Sequence, residues 1–293
     1  MQRGDGEGRS RGRIRAARGR VAAHGVSDDW WAPVRLPAGR PGSLPTRMGD
    51  AVMRVENIGA ATLYLGDIRE VAPEIGGADC VVTDPPYLVS KGGFASNLQL
   101  EGGFGGWMKE YGNQGDIVEC DIAFADWAPL IVSCSADRAH VYVMSNGRNL
   151  KDMQVALEAV GLRLHTVLVW DKRTALPNKY YQNITEFGLF MFKGKARTIN
   201  DPASKNLVSI FQRDDSAHPT EKPVELMKFW IGNSTNPGDL VLDPFMGSGT
   251  TGVAALQLGR RFVGVEKSPK WFDVACSRLA TAQRQHSLFG DVA

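Results

Sequence analysis

Cysteine is scarce. Four occur in 293 residues, at Cys80, Cys120, Cys134 and Cys276, and none are close enough to form a CxxC pair. That scatter argues against a disulfide framework and against a zinc site, so no metal is expected; it fits reduced thiols in a cytoplasmic protein. No run approaches the roughly 20 uninterrupted apolar residues that cross a bilayer, so no membrane partner is expected. No apolar segment follows the basic residues near Met1, so no secretory signal is read there. A strong net charge is missing too. The chain carries +2, with 43% hydrophobic and 23% charged residues, ordinary values for a globular protein. Net charge by itself points to no nucleic-acid partner.

The distribution of charge is uneven. Residues 1–50 hold ten Arg against five Asp or Glu, which leaves the rest of the chain at −3. This stretch is rich in Gly, Ala and Pro and lacks apolar periodicity, so it reads as a disordered extension. Residues 51–293 read as one domain. Within it, Ala61–Leu65, Ala78–Thr83, Ala139–Met144, His165–Trp170, Phe187–Phe192, Asp239–Leu242 and Arg261–Val265 read as strands. Between them, Ile68–Ile75, Ile122–Cys134, Leu150–Val160, a run from Pro223, Thr250–Leu258 and Pro269–Ala282 read as helices. The alternation predicts an α/β fold with a mostly parallel sheet and helices on both faces. Residues 88–120, with three Gly pairs, are long for a loop in a compact domain and predict a mobile, functional segment.

Two segments carry chemistry. Asp243-Pro244-Phe245-Met246-Gly247-Ser248-Gly249-Thr250-Thr251 follows a strand and opens a helix. Its glycines allow a tight turn and close approach of backbone to a ligand. Gly249 is followed by Thr250 and not by Lys, which disfavours a nucleotide-hydrolysing P-loop. Glu266 ends the next strand, where an acidic residue commonly holds ribose hydroxyls. The second segment is Asp84-Pro85-Pro86-Tyr87, at the end of an apolar strand. Alone, it also reads as a rigid turn. Its chemistry gives a sharper reading. An exocyclic base amine is a poor nucleophile because its lone pair is delocalised into the ring. A carboxylate at Asp84 and a carbonyl at Pro85, held rigid by the prolines, would accept its N–H groups and polarise it. The ring of Tyr87 would stack on a base rotated out of the duplex.

Taken together, Asp84–Tyr87 and Asp243–Gly249 resemble motifs IV and I of the amino-methylating DNA methyltransferases. The catalytic motif comes first and the cofactor motif about 160 residues later, a permuted order similar to that of the beta group. His218-Pro219-Thr220-Glu221-Lys222-Pro223 resembles that group's motif X. The resemblance covers roughly residues 58–282. It implies a class I methyltransferase (Rossmann-like) sheet and S-adenosylmethionine as cofactor. It places Asp243, Phe245, Met246, Gly247, Ser248, Gly249 and Thr250 along the cofactor. Glu266 would lie on the ribose, Asp67 near the adenine, and Thr220 and Lys222 near the cofactor carboxylate. The catalytic and cofactor strands are expected to be neighbours, with their carboxyl ends at one crevice. Asp at position 84, where cytosine-N4 enzymes often carry Ser, tilts the reading to adenine N6 in double-stranded DNA, with a cytosine-N4 enzyme as the alternative. A non-catalytic DNA-binding module of the same fold is the rival from another class. Members of the beta group are often homodimers.

Target recognition is expected outside the motifs. Residues 171–215 are the first candidate, with Lys172, Arg173, Lys179, Lys195 and Arg197 for phosphate and base contacts and Tyr180 and Tyr181 for stacking. Residues 91–115 are the second.

Overall fold

The computed structural model describes residues 53–86, 122–174, 181–211 and 221–289. The 1–50 extension, Tyr87, the 88–120 loop, Lys179, Tyr180 and Thr220 lie outside the described residues. Among the described residues nine strands form one sheet, in the order β1-β2-β9-β8-β3-β4-β6-β5-β7. They are β1 (Arg54–Ile58), β2 (Ala61–Leu65), β3 (Ala78–Thr83), β4 (Ser135–Ser145), β5 (Leu162–Asp171), β6 (Thr185–Lys193), β7 (Leu207–Ser209), β8 (Leu240–Asp243) and β9 (Arg261–Glu266). The centre, β2-β9-β8-β3-β4, is parallel throughout. Strands β1 and β6 join antiparallel, and β5 pairs antiparallel with β6.

Each face of the sheet is covered by three helices. One face takes α1 (Ile68–Val71), α2 (Phe124–Cys134) and α3 (Leu150–Ala159), which bury Ile68, Trp127, Ile131, Met153 and Leu157. The other takes α4 (Val224–Ser234), α5 (Thr250–Gln257) and α6 (Pro269–Phe289), which bury Leu226, Trp230, Ala254, Phe272 and Leu279. Burying each large side chain contributes about 1.5–3 kcal/mol. The central strands are apolar on both faces for this reason. Cys80, Val81 and Val82 of β3 have no exposure at all.

The register places the two motifs together. Cys80 and Val81 of β3 lie opposite Val241 and Leu242 of β8. Asp84 and Pro244 therefore leave the same edge of the sheet from neighbouring strands, as expected. Two strands were not read from the sequence, β1 and the three-residue β7. The helix expected over Ile68–Ile75 is one α-helical turn continued as a 3-10 turn over Ala72–Glu74. Pro73 has no N–H to continue the α-helix.

Candidate active site

Four of the parallel central strands, β2, β9, β8 and β3, bring a polar or acidic residue to the same edge of the sheet. Thr83 ends β3 and Asp84 follows it. Asp243 ends β8, Glu266 ends β9, and Asp67 stands two residues past β2. The turn after β8 is built on two left-handed glycines. Gly247 has φ +51° and Gly249, which caps α5, has φ +82°. A Cβ at Gly249 would meet Leu279 Cδ1 at 2.8 Å, so α6 packs directly against that backbone. A Cβ at Gly247 would meet nothing within 4 Å. The backbone at Gly247 thus faces open space, the condition for a ligand to approach it closely.

Glu266 shapes this turn from the next strand. Its Oε2 accepts from Gly247 N at 2.9 Å and its Oε1 from Ser268 N at 2.7 Å. Burial pushes the Glu266 carboxyl above the usual carboxylate range, against these backbone donors. Asp67 is delivered beside it, since Gly66 N bonds Glu266 O at 3.0 Å. Asp67 caps α1 and accepts from Arg69 N at 2.9 Å and from its guanidinium at 2.6 Å. Burial opposes its ionisation, but the bonds and charge of Arg69 outweigh burial and hold Asp67 below its ordinary pKa. Two carboxylates beside an open glycine turn form an acceptor set for hydroxyls and amines, which fits the ribose and adenine of a nucleoside cofactor.

Asp243 does not present its carboxylate to a ligand. It is 3% exposed, and both oxygens are satisfied internally. Thr83 Oγ1 donates to Oδ1 at 2.7 Å, Phe245 N to Oδ1 at 3.1 Å, and Thr251 Oγ1 to Oδ2 at 2.7 Å. Burial pushes its pKa up to about 6. Asp243 is a clasp that ties the end of the Asp84 strand to the first turn of α5. Phe245 and Met246 also turn inward. Phe245 meets Trp127 edge-on at 5.8 Å, and Met246 is buried in the core. Arg278 of α6, which sequence reasoning missed, secures the turn from outside. It donates to Ser248 O at 2.9 Å, Ser248 Oγ at 2.7 Å and Thr250 Oγ1 at 3.2 Å, and reaches Glu221 Oε1 at 2.5 Å.

At Asp84 the two carboxylate oxygens differ. Oδ2 accepts from Lys222 Nζ at 2.7 Å. Oδ1 is buried and has no hydrogen-bond partner among the described residues. A buried acceptor left unmatched costs about 1–3 kcal/mol. Pro85 is buried and Pro86 half-buried beside it. Lys222, expected at the cofactor carboxylate, is instead on Asp84 and 3.4 Å from Glu186 Oε2.

A model of DNA methylases, the N6/N4 group, matches residues 78–277. The chain belongs to the N6/N4 DNA methylase family. It is a DNA methyltransferase. The Type II methyltransferase M2.DpnII of Streptococcus pneumoniae is 30% identical over 223 residues, which cover 69% of this chain and 82% of the relative. The Type II methyltransferase M.HinfI of Haemophilus influenzae is 29% identical over 226 residues, covering 69% and 62%. Among solved structures, the complex of M1.HpyAVI with SAM is 26% identical, with a TM-score of 0.58, and matches 75% of this chain and 100% of that one. The PvuII DNA methyltransferase, titled cytosine-N4-specific, has a TM-score of 0.59 at 19% identity, over 80% of this chain and 94% of that one. That likeness is one of fold. In this DNA methylase the class I fold and the permuted motif order are both present.

The residues expected to meet DNA divide into two sets. Lys172 and Arg173 follow β5 at the crevice edge. Lys172 donates to Glu186 at 3.2 Å, and Arg173 is exposed in a left-handed backbone conformation, φ +59°. Tyr181, 94% exposed, stands near them in sequence. Lys195 and Arg197 follow β6, whose register carries the chain to the opposite, amino edge of the parallel strands. Arg197 there donates to Asp79 O and Ser234 O, both at 2.8 Å, and its carbonyl bonds His140 Nε2 at 3.0 Å. The structure does not bring Lys195 and Arg197 to the crevice, and Arg197 ties β3 to the end of α4.

Proposed function

We propose that this methylase transfers a methyl group to N6 of adenine at a specific site in double-stranded DNA. S-adenosylmethionine is the cofactor and, when bound, supplies a methyl group made electrophilic by its sulfonium. The reading is carried by one observation: Asp84 follows the end of β3 beside the glycine turn after β8, and its Oδ1 is left without a hydrogen-bond partner among the described residues. A base amine arriving there gives this oxygen the donor it lacks. Lys222 holds Oδ2, so Oδ1 is the oxygen left for the substrate. Asp84 Oδ1 and the Pro85 carbonyl accept the two amine N–H groups, which concentrates electron density on the nitrogen and turns its lone pair out of the ring plane. Such preoriented acceptors act in a water-poor site at full strength. Asp84 also offers a carboxylate oxygen for the proton that the amine gives up.

The cofactor is held by the turn at Gly247–Gly249, with Glu266 for its ribose hydroxyls and Asp67 for its adenine. Asp243, Phe245 and Met246 support that turn from behind. Ser248 and Thr250 do so through Arg278. Tyr87 stacks on the flipped base. Lys172, Arg173 and Tyr181 meet the DNA beside the crevice. Adenine is favoured over cytosine by Asp at position 84. The likeness to Type II methyltransferases supports a site-specific modification role.

Digestion of DNA from a host expressing the chain, followed by mass spectrometry of the nucleosides, tests the base. N6-methyladenine is expected. N4-methylcytosine in its place would overturn the choice of base, and no methylated nucleoside on any DNA would support the rival DNA-binding module.

A further inference from the structure

Four charged side chains alternate in sign along a line that ends on Asp84. Lys172 donates to Glu186 Oε1 at 3.2 Å. The second oxygen of Glu186 lies 3.4 Å from Lys222 Nζ, and Lys222 donates to Asp84 Oδ2 at 2.7 Å. The members are sheltered, from Lys222 at 11% exposed to Asp84 at 29%, so solvent and salt screen them only in part. Three elements converge here. Lys172 follows β5, Glu186 lies near the start of β6, and Lys222 sits just before α4.

We propose that Glu186, acting through Lys222, is the positioning residue that aims Asp84 Oδ1 at the amine of the flipped base. This rests on the reading of Asp84 as the amine acceptor. Lysine carries its charge on a flexible stem and does not fix a partner's direction by itself. Glu186 supplies a fixed point, because it is paired with Trp170 of β5 and the next residue, Phe187, is paired on both sides, to β4 and to β5. With Nζ drawn between two carboxylates, Asp84 is held by Oδ2, and its Oδ1 carries no hydrogen bond of its own among the described residues. Burial works against ionisation of Glu186, but the charges of Lys222 and then Lys172 outweigh it and keep its carboxyl below the ordinary pKa.

Two substitutions in the full chain test this, with kcat on duplex DNA and the dissociation constant for S-adenosylmethionine measured separately. Glu186→Gln keeps the shape and removes the charge. It is expected to lower kcat about tenfold, as small misplacements of a reacting group do, while cofactor affinity stays within about twofold. Lys222→Met is expected to lower kcat further, again with cofactor affinity kept. The double variant is expected to be no worse than Lys222→Met, because Glu186 acts only through Lys222. Lys222→Met interrupts the same line between Glu186 and Asp84, so the test survives a poorly folded Glu186→Gln. Wild-type kcat in Glu186→Gln would overturn the proposal. So would a multiplied loss in the double variant, or a Lys222→Met defect confined to cofactor affinity. A wild-type chain inactive on all DNA is a separate failure, that of the function itself.

Discussion

Thr251→Val is the cleanest perturbation of the clasp between the two motifs. The change is close to isosteric and removes only the hydroxyl that donates to Asp243 Oδ2 at 2.7 Å. Asp243 is buried, and burial raises its pKa to about 6, above the ordinary 3.8. At pH 8 the carboxylate is charged, and a hydrogen bond to a charged group is worth about 1.5–3 kcal/mol. At pH 5 it is largely protonated, and the lost bond is a neutral one of about 1 kcal/mol. The variant is therefore expected to lose more stability at pH 8 than at pH 5. At about 2–4 °C per kcal/mol for a domain of this size, the melting temperature falls by roughly 4–8 °C at pH 8 and about half that at pH 5. The sign follows because the Thr251 bond lowers the Asp243 pKa against burial, so removing it raises that pKa further and costs most where the group is charged. A carboxyl whose folded-state pKa is raised favours the native state below its unfolded pKa, and that advantage fades as pH climbs through about 6. Thermal unfolding of both proteins at the two pH values reads the difference. An equal loss at both, or a greater loss at pH 5, would refute the assignment of Asp243 as a buried, ionisable clasp.

Two further substitutions separate ligand contacts from support. Arg278→Met removes the guanidinium that holds Ser248, Thr250 and Glu221; isothermal titration is expected to show roughly tenfold weaker S-adenosylmethionine binding, since charged hydrogen bonds of this kind carry about 1.5–3 kcal/mol. Arg197→Met strips two backbone carbonyls of a charged donor; it is expected to lower the melting temperature by several degrees, about 2 kcal/mol, with DNA affinity unchanged in a gel-shift assay. Weaker DNA binding without a change in stability would return Arg197 to the DNA face.

The strand bounds at Ala61–Leu65 and Ala78–Thr83 were legible because buried central strands are apolar runs closed by turn residues. Strand β1 was not, because Arg54, Glu56 and Asn57 mark an edge strand that faces water. The pairing of the two motifs was legible from their order and from their positions at strand ends. The roles inside them were less so. Asp243 stands in a ligand-binding motif, yet its carboxylate is claimed by Thr83, 160 residues earlier in the chain. No local pattern announces such a bond. Glu186 is hidden for a related reason. It introduces an apolar strand, and only the return of Lys222 to the same edge gives its charge a meaning. Lys195 and Arg197 looked like their neighbours Lys172 and Arg173 because a list of basic residues carries no direction, whereas a nine-residue strand separates the two pairs by the height of the sheet.

The central claim is that Asp84 accepts the substrate amine. Asp84→Ala, assayed for methyl transfer to duplex DNA alongside cofactor binding, tests it most directly. The expected result is loss of transfer by at least about a thousandfold, the scale of removing a preoriented polar group at a reacting centre, with S-adenosylmethionine affinity close to that of the wild type. Near-normal transfer by the alanine variant would contradict it.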